Sequence, residues 1–445
     1  MQTGHGTQAK RYGSAIIIAY DRTSMQLRPH QQRALTALAG NNKGCVYVPT
    51  GGGKTVIMME DCVRRLDAAN VAQTIVVVAP RILLASQLCS EFMQYLDNID
   101  GYEYNNNFTV MHIHSGETSH FKTTKVDQIQ RHDDVCMNVN VHQLIFTTYH
   151  SLHKVVDSGI KVDVMYCDEA HNATQRNHFV GVAATSQLAS NAYFFTATPK
   201  YSRNPYAAGM NNKVVFGDTL EIVPAPELIN NGSIIPPELV VHETELVRNK
   251  HNAHDVDREM VLDIIDDLGD DDAAKILVAA PNTRVLWAML SRTDILDTLN
   301  EMGYDIMHIT SKHGAYINRD KVGRDKFFET LQEWGADDQK KFIVFHYSIL
   351  SEGINVPGLT HTILLRNLPV IEMAQTIGRV IRLHKDDAKD IAEGRIIPGK
   401  LSQYRKSHGV VTVPLCGKAS QATRNRLQKV IDLIFVDGLP AHSFA

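Results

Sequence analysis

The sequence predicts an α/β protein made of two tandem domains, each with a mostly parallel sheet flanked by helices. The chain has 445 residues, which is more than one ordinary hydrophobic core accommodates. Short apolar strands alternate with helical patterns in two successive sets, as expected for two parallel sheets. The proline-rich stretch Pro224–Pro237 lies between the two sets and is typical of a linker.

Each predicted element follows from its residue pattern. The first set of strands comprises Cys45–Val48, Thr74–Ala79, Gln143–Thr147, Val162–Cys167 and Ala192–Thr196. The second set comprises Lys275–Ala280, Asp305–Ile309, Lys341–His346 and Thr360–Leu365. Asp255–Leu268 and Gln421–Val436 have apolar residues at helical spacing and predict packing helices. The expected units are an N-terminal extension (1–24), a first domain (25–222), a linker with a packing helix (223–270), a second domain (271–399) and a tail (400–445).

Composition restricts the class of protein. Apolar residues make up 44% of the chain and charged residues 21%, values that suit a soluble globular protein. The net charge of −4 argues against nucleic-acid binding through bulk charge but leaves room for a local basic groove. The six cysteines form no C-x-x-C pair, which favours buried free thiols over zinc or disulfides. No run of about 18 apolar residues occurs, so we expect an intracellular protein without a membrane span.

A glycine-rich stretch, VYVPTGGGKTVIMME (46–60), predicts a phosphate-binding loop between a buried strand and a helix. A curled backbone at a helix N-terminus points N–H groups into one concavity, where the helix dipole also favours an anion. Lys54 supplies a cation for the β and γ phosphates, and Thr55 supplies a hydroxyl for Mg²⁺. Val48 stands where the full G-x-x-x-x-G-K-[ST] pattern has glycine, so an incidental glycine-rich turn remains the alternative on this stretch alone.

A pair of acidic residues supports the phosphate-binding interpretation. Asp168 and Glu169 directly follow the predicted strand Val162–Cys167, at the sheet edge where ligands of α/β proteins bind. One carboxylate can hold Mg²⁺ through its water shell while its neighbour polarises an attacking water. The alternative is an acidic turn without a ligand.

Eight blocks in order resemble superfamily 2 helicases and translocases of the DEAH-signature type, from Leu27 to about His384. They are LRPHQQRAL (27–35), the glycine-rich loop, APRILLASQ (79–87), TTYHSL (147–152), DEAH (168–171), TATP (196–199), ILSEGINVPGL (349–359) and QTIGRVIRL (375–383). Asn355, and Thr376 after Gln375, depart from commoner residues of this superfamily, but neither change removes a charge that phosphoryl transfer needs. The resemblance implies two RecA-like domains with an ATP site in the cleft between them, and ATP with Mg²⁺ as cofactors.

The resemblance also implies roles for individual residues. It assigns catalysis to Glu169, Arg379, Arg382, Gln375 and His171, and metal binding to Thr55 and Asp168. It assigns ATP binding to Arg28, Gln31, Thr50, Gly51, Gly52, Gly53, Lys54, Thr55, Gly353 and Asn355, and coupling to Thr196 and Thr198. Arg379 and Arg382 are three residues apart on a helix predicted over 371–383, so both can lie on one face as arginine fingers; a basic surface helix is the alternative.

Nucleic-acid contacts are implied for Arg81, Thr148, Asn282 and Arg284, although each could instead be a surface or capping group. The blocks look most like UvsW-type phage helicases and the motor subunits of restriction enzymes. We therefore expect a stand-alone ATP-dependent DNA helicase or translocase, in a bacterium or a phage-infected host, with replication or recombination proteins as possible partners. An RNA helicase and a nucleotide-gated scaffold without unwinding activity are the alternatives.

Overall fold

The computed structural model describes residues 27–99, 101–269, 274–347, 356–416 and 418–444. The predicted N-terminal extension lies outside these residues, as do Gly353 and Asn355. Within them, two large sheets flanked by helices confirm the predicted fold class.

The first sheet is built from the N-terminal half of the described chain. Its strands are β1 (Lys43–Tyr47), β2 (Thr74–Ala79), β3 (Phe108–Ile113), β4 (Phe121–Lys122), β5 (His142–Thr148), β6 (Val164–Cys167), β7 (Asn191–Thr196) and β9 (Asp218–Ile222), with β8 (Lys200–Tyr201) outside it. The strand order is β4-β3-β5-β2-β6-β7-β1-β9, and every pair is parallel. Since all six residues of β2 are buried, this strand lies in the middle of the core.

Eight α-helices accompany these strands in the described residues. They are α1 (Pro29–Ala39), α2 (Lys54–Ala68), α3 (Ile82–Asp97), α4 (Val126–Asn138), α5 (His153–Ser158), α6 (Arg176–Leu188), α7 (Lys213–Phe216) and α8 (Ala225–Asn230). A short 3₁₀ helix, Ala170–Thr174, follows β6. Helices α2 and α3 bury apolar faces against the sheet, which fixes the ends of the loops that precede them.

The second sheet also has eight strands. They are β10 (Pro237–Glu243), β11 (Lys275–Ala279), β12 (Asp305–Thr310), β13 (Gly314–Ile317), β14 (Asp320–Val322), β15 (Phe342–His346), β16 (His361–Leu364) and β17 (Gly409–Leu415). The order is β10-β17-β16-β11-β15-β12-β13-β14. Strand β13 pairs antiparallel with β12 and with the edge strand β14, and the other pairs are parallel. Strands β10 and β17, which flank the segment 271–399 in sequence, complete this sheet.

The helices of the second half are α9 (Ala253–Asp267), α10 (Thr283–Arg292), α11 (Ile295–Glu301), α12 (Arg324–Ala336), α13 (Val370–Val380), α14 (Lys385–Ala392) and α15 (Lys418–Ile431). A π-helical turn, Asp432–Val436, continues α15. The chain then returns to the first half, where β18 (Ser443–Phe444) pairs with β8. None of the described helices is long and apolar enough to cross a membrane, and all six cysteines are free thiols, five of them buried.

The helix predicted over 371–383 is shorter than expected. Helix α13 ends at Val380, and Arg382 instead makes a strand-like bridge to Ile234 in the segment after α8. The prediction that Arg379 and Arg382 share one helix face is therefore wrong. Backbone carbonyls that have no partner within the helix at this end are satisfied by the ammonium group of Lys406, which donates to Val380 and Arg382 at 2.6 and 3.0 Å.

A buried polar network joins α2 to the sheet. The carboxylate of Asp61 accepts hydrogen bonds from Tyr166 Oη in β6 at 2.6 Å and from Arg65 Nε at 2.7 Å, and Arg65 Nη2 lies 2.5 Å from Tyr193 Oη in β7. Asp61 is almost fully buried. Since α2 begins at the glycine-rich loop and β6 ends directly before Asp168, this network fixes two of the candidate motifs relative to each other.

Replacing Asp61 with Ala should lower the free energy of unfolding by about 3 kcal/mol, because it leaves the Arg65 guanidinium and the Tyr166 hydroxyl without their buried acceptor. Urea unfolding followed by circular dichroism measures the change. The control is Asp67→Ala on the same helix, where the exposed carboxylate should contribute less than about 1 kcal/mol. Equal losses from the two variants would show that the network does not hold α2 in place.

Candidate active site

The glycine-rich loop connects β1 to α2 and has the conformation that an anion site needs. Gly51 and Gly53 have φ angles of 86° and 80°, in the left-handed region that glycine adopts without strain. A Cβ atom at Gly53 would lie 2.6 Å from Nε2 of Gln31, so this position also has no room for a side chain. Gly53 directly precedes the first residue of α2, and the backbone N–H groups at this helix N-terminus can therefore bind a phosphate.

The segment before and within α1 packs against the loop. Gln31 Oε1 accepts a hydrogen bond from the backbone N–H of Arg28 at 2.9 Å, and Arg28 faces the same cleft as the loop. His30 Nε2 lies 2.9 Å from the carbonyl oxygen of Gly52. Burial lowers the pKa of His30, so the neutral ring can donate this bond and hold the loop. Sequence reasoning missed His30, although it stands next to the predicted Gln31.

The two acidic residues after β6 are buried beside Lys54. Lys54 Nζ lies 3.5 Å from Glu169 Oε1. Glu169 has a φ angle of 46°, a left-handed conformation that costs a residue with a side chain about 1–3 kcal/mol. Asn172 compensates locally, since its backbone and side-chain N–H groups both donate to the Glu169 carbonyl. Strain at this position is characteristic of a functional site.

The two carboxyl groups differ in their electrostatic environment. Burial, and then the neighbouring charge of Glu169, raise the pKa of Asp168. Burial also acts on Glu169, but the positive charges of Lys54, His171 and Arg379 outweigh it and lower the pKa of this residue. Glu169 is thus the ionised member of the pair, as a residue that polarises water must be.

His171 links the acidic pair to the strand β7. Its Nδ1 atom lies 3.0 Å from Thr196 Oγ1 and 3.5 Å from Glu169 Oε2, and its Nε2 atom lies 3.1 Å from Asn172 Nδ2. Thr196 Oγ1 also accepts a hydrogen bond from the backbone N–H of Thr198 at 3.1 Å. Two of the predicted catalytic residues, Glu169 and His171, are therefore connected to the predicted coupling residues Thr196 and Thr198 by buried polar contacts.

Two arginines of the second half reach the same site. Arg379, in the last turn of α13, is buried, and its pKa is lowered to about 9 by burial and by Arg382, while Glu169 acts in the opposite direction. Gly378 allows the approach, because a Cβ atom there would lie 2.6 Å from Cβ of Thr50 in the glycine-rich loop. The side chains of both arginines border the cleft although only Arg379 belongs to the helix.

These residues line one cleft between the two halves of the molecule, with a cavity volume of about 350 Å³. The predicted residues on its wall are Arg28, Thr50, Gly51, Gly53, Lys54, Thr55, Asp168, Glu169, Gln375, Arg379 and Arg382. Glu91 and Ser233 also line it and were not predicted. Burial raises the pKa of Glu91, whereas Gln87, Thr55 and Arg382 act to lower it. No motif around Glu91 predicts that it faces the cleft, because its position depends on how α3 packs.

The side chains at this cleft fit a magnesium ion. Mg²⁺ prefers oxygen ligands, and the hydroxyl of Thr55 and the carboxylate of Asp168 face the same cavity. Burial and the adjacent Glu169 both raise the pKa of Asp168. A divalent cation bound there would act in the opposite direction and favour the ionised carboxylate. Thr55 and Asp168 are therefore the residues that would hold the ion.

The four predicted nucleic-acid contacts lie after the carboxyl ends of strands. Arg81 caps α3 after β2, and Thr148 ends the adjacent strand β5. Thr148 is buried and its hydroxyl accepts from the backbone N–H of Ser151 at 3.3 Å. Asn282 Oδ1 accepts from the backbone N–H of Val285 at 2.9 Å and caps α10, and Arg284 is exposed. Thr148 and Asn282 thus make the capping contacts that were the alternative to nucleic-acid binding. Of the four predicted contacts, Arg81 and Arg284 are the exposed cations.

The comparisons with known proteins agree with this architecture. Residues 24–201 match the family model of the Type III restriction enzyme res subunit, which is less than half of the chain. No curated protein sequence matches the chain.

Three solved structures show the extent of the structural similarity. The Type ISP restriction-modification enzyme LlaBIII bound to DNA has a TM-score of 0.68 at 14% identity over 94% of this chain and 31% of its own. S. cerevisiae Dbp5 bound to RNA and ADP BeF3 has a TM-score of 0.56 at 15% identity over 94% of this chain and 89% of its own. Mycobacterium smegmatis helicase Lhr bound to ssDNA and AMP-PNP has a TM-score of 0.56 at 17% identity over 92% of this chain and 49% of its own.

The chain spans only about a third of the Type ISP enzymes but nearly the whole of Dbp5. The similarity to these structures shows the fold, which is two tandem RecA-like domains, and the family match covers the N-terminal part of it.

Lys54→Ala should weaken the binding of magnesium nucleoside triphosphate and abolish its turnover, because the loop loses its side-chain cation. Glu169→Gln is the matched variant, since it keeps the loop and should still bind. The thermal shift produced by a non-hydrolysable ATP analogue with Mg²⁺ measures both. An equal shift for Lys54→Ala and the unmodified protein would place the nucleotide elsewhere.

Proposed function

We propose that the protein is an ATP-dependent DNA helicase or translocase that couples ATP hydrolysis to movement along DNA or to its remodelling. One observation carries the proposal. Lys54 and Glu169 from the first half and Arg379 and Arg382 from the second line a single cleft. A site divided between two halves can hydrolyse ATP only when they approach, so each turnover can be converted into relative movement.

The side chains suggest how hydrolysis proceeds. The glycine-rich loop and Lys54 bind the β and γ phosphates, and the ionised Glu169 orients and polarises the attacking water. Thr55 and Asp168 would hold a magnesium ion, which would supply charge neutralisation on the phosphate oxygens. Arg379 and Arg382 stabilise the negative charge that spreads over the transferred phosphoryl group. The contacts of His171 with Glu169, Thr196 and Thr198 connect this chemistry to the end of β7.

The choice of DNA rests on the sequence resemblance to UvsW-type helicases and restriction-enzyme motors, supported by the Type III restriction enzyme family match. The structurally similar proteins include some bound to DNA and others bound to RNA. An RNA helicase is therefore the second candidate, favoured by the coverage of 89% of the RNA-bound Dbp5 chain. A scaffold that binds nucleotide without hydrolysis has no need of both an ionised Glu169 and paired arginines.

Arg382→Ala should reduce the maximal ATP turnover by roughly 10³-fold while leaving nucleotide affinity in the open state nearly intact, because the arginine acts on the transition state. Steady-state phosphate release and equilibrium nucleotide binding measure the two effects. Arg424→Ala, which removes an exposed arginine of α15, is the matched control and should turn over normally. Normal turnover by Arg382→Ala would refute the cleft shared by both halves.

Nucleic acid should stimulate hydrolysis, and the stimulation should weaken as salt rises, because a chain of net charge −4 must hold phosphates through a few local cations. Phosphate release is compared across single-stranded, duplex and forked DNA and RNA at matched salt. DNA should stimulate at least as well as RNA. Stimulation by RNA alone would favour the RNA helicase, and stimulation by neither polymer would favour the scaffold.

A further inference from the structure

A second cleft of the molecule lies outside the nucleotide site, between the β10–α9 connector and the start of α10. Its cavity volume is about 870 Å³. The lining residues of one wall come from 248–254 and those of the other from 281–292. We name this cleft the connector groove.

The charge of the connector groove has one sign. Its lining contains four arginine and lysine residues and two histidines, and no aspartate or glutamate among the described residues: Arg248, Lys250, His251, His254, Arg284 and Arg292. The chain as a whole has a net charge of −4, so this concentration of cations is local. A surface of this kind attracts a polyanion.

Most of this positive charge is available to a ligand. Arg248 is already neutralised, since its guanidinium donates to both oxygens of the buried Asp257 at 2.6 and 3.0 Å. That pair fastens the connector to α9. In contrast, Lys250, Arg284 and Arg292 are exposed and form no ion pair with any described residue. Arg248 thus stabilises the wall of the groove, and the other three cations of the lining face solvent.

The spacing of the cations suits an extended ligand. Arg284, Ala288 and Arg292 are four residues apart on α10 and therefore lie on one face. At 1.5 Å per residue, the two arginines are separated by about 12 Å along the helix axis. The small side chain of Ala288 leaves the floor between them open. No Trp, Tyr or Phe among the described residues lines the groove, so these residues offer bases no stacking platform there.

We propose that the connector groove binds the phosphate backbone of the nucleic acid on which the motor acts, without reading its bases. This inference rests on the proposed function and extends the contact beyond Asn282 and Arg284 to the connector and to the distal end of α10. Phosphate contacts of this type fix the position of a strand and carry no sequence information. The groove would therefore hold a strand while the cleft opens and closes.

The double variant Lys250→Ala/Arg292→Ala tests the proposal in the full chain. Both side chains lie outside the nucleotide cleft, so the maximal ATP turnover at saturating DNA should not change, while the DNA concentration for half-maximal stimulation should rise about tenfold or more. Loss of two phosphate contacts should also reduce the slope of log Kd against log salt by about 1.4 for a fluorescent single strand. Fluorescence anisotropy measures the slope.

The matched control is Lys400→Ala/Lys429→Ala, which removes two exposed lysines that do not line the groove and gives the same change in net charge. Equal slopes and equal Kd values for the two double variants would overturn the proposal. Polyglutamate that displaces the strand as well as nucleic acid does at equal charge would overturn it in favour of an acidic peptide. The anisotropy comparison needs no ATP, so it judges the groove even if the unmodified protein shows no stimulated hydrolysis.

Discussion

The proximity of Lys54 to Glu169 is the interaction on which the candidate site depends. Two adjacent carboxyl groups, Asp168 and Glu169, are buried after β6, and without a cation their mutual repulsion would keep them from both being ionised. Lys54 Nζ lies 3.5 Å from Glu169 Oε1, and its charge lowers the pKa of Glu169 despite burial. In the proposed mechanism, the cation that would bind phosphate is therefore also the one that keeps the water-activating residue ionised.

That interaction requires the two motifs to be held in a fixed relation, and the fold provides this through buried polar contacts. Asp61 in α2 accepts from Tyr166 in β6, so the helix that begins at Lys54 cannot move independently of the strand that ends at Asp168. His171 extends the chain of contacts to Thr196 in β7. Neighbouring strands of one parallel sheet, β6 and β7, thus precede both the acidic pair and the segment that continues towards β8.

Sequence patterns predicted most of the fold and the residues that lie in local motifs. The buried strands around Val46 and Tyr166 are continuous apolar runs, and Lys54 and Glu169 lie in short blocks whose chemistry can be interpreted directly. The hairpin β13–β14 and the strand β17 were not predicted, because short or edge strands have weak patterns and β17 pairs with β10 and β16 across long stretches of sequence.

Residues whose position depends on tertiary contacts could not be predicted. Glu91 faces the cleft only because α3 packs there, and Arg382 lies beyond the end of α13, in a turn whose backbone contacts a distant lysine. The predicted face shared by Arg379 and Arg382 failed for the same reason. The periodicity of a sequence predicts which face of a helix is buried, but not the residue at which the helix ends.

That distant lysine also explains how the arginines are held. The ammonium group of Lys406 donates to the carbonyl oxygens of Leu359, Val380 and Arg382 at 2.6, 2.6 and 3.0 Å. Three acceptors match the three N–H donors of a charged lysine, and they include the backbone on either side of the turn that follows α13. Burial, followed by the charges of Arg382 and Lys275, lowers the pKa of Lys406 to about 7, so the protein bears an electrostatic cost to keep this contact.

The segment that contains Lys406 continues into β17 and ends at β18, which pairs with β8 directly after Pro199 of the first half. The C-terminal region therefore contacts the turn that carries the second arginine and also the strand that follows Thr196 and Thr198. One stretch of chain, from Lys406 to β18, therefore contacts both the turn at Arg382 and the strand β8. Its two attachments lie on different halves of the molecule, so this stretch of chain links the two halves outside the cleft.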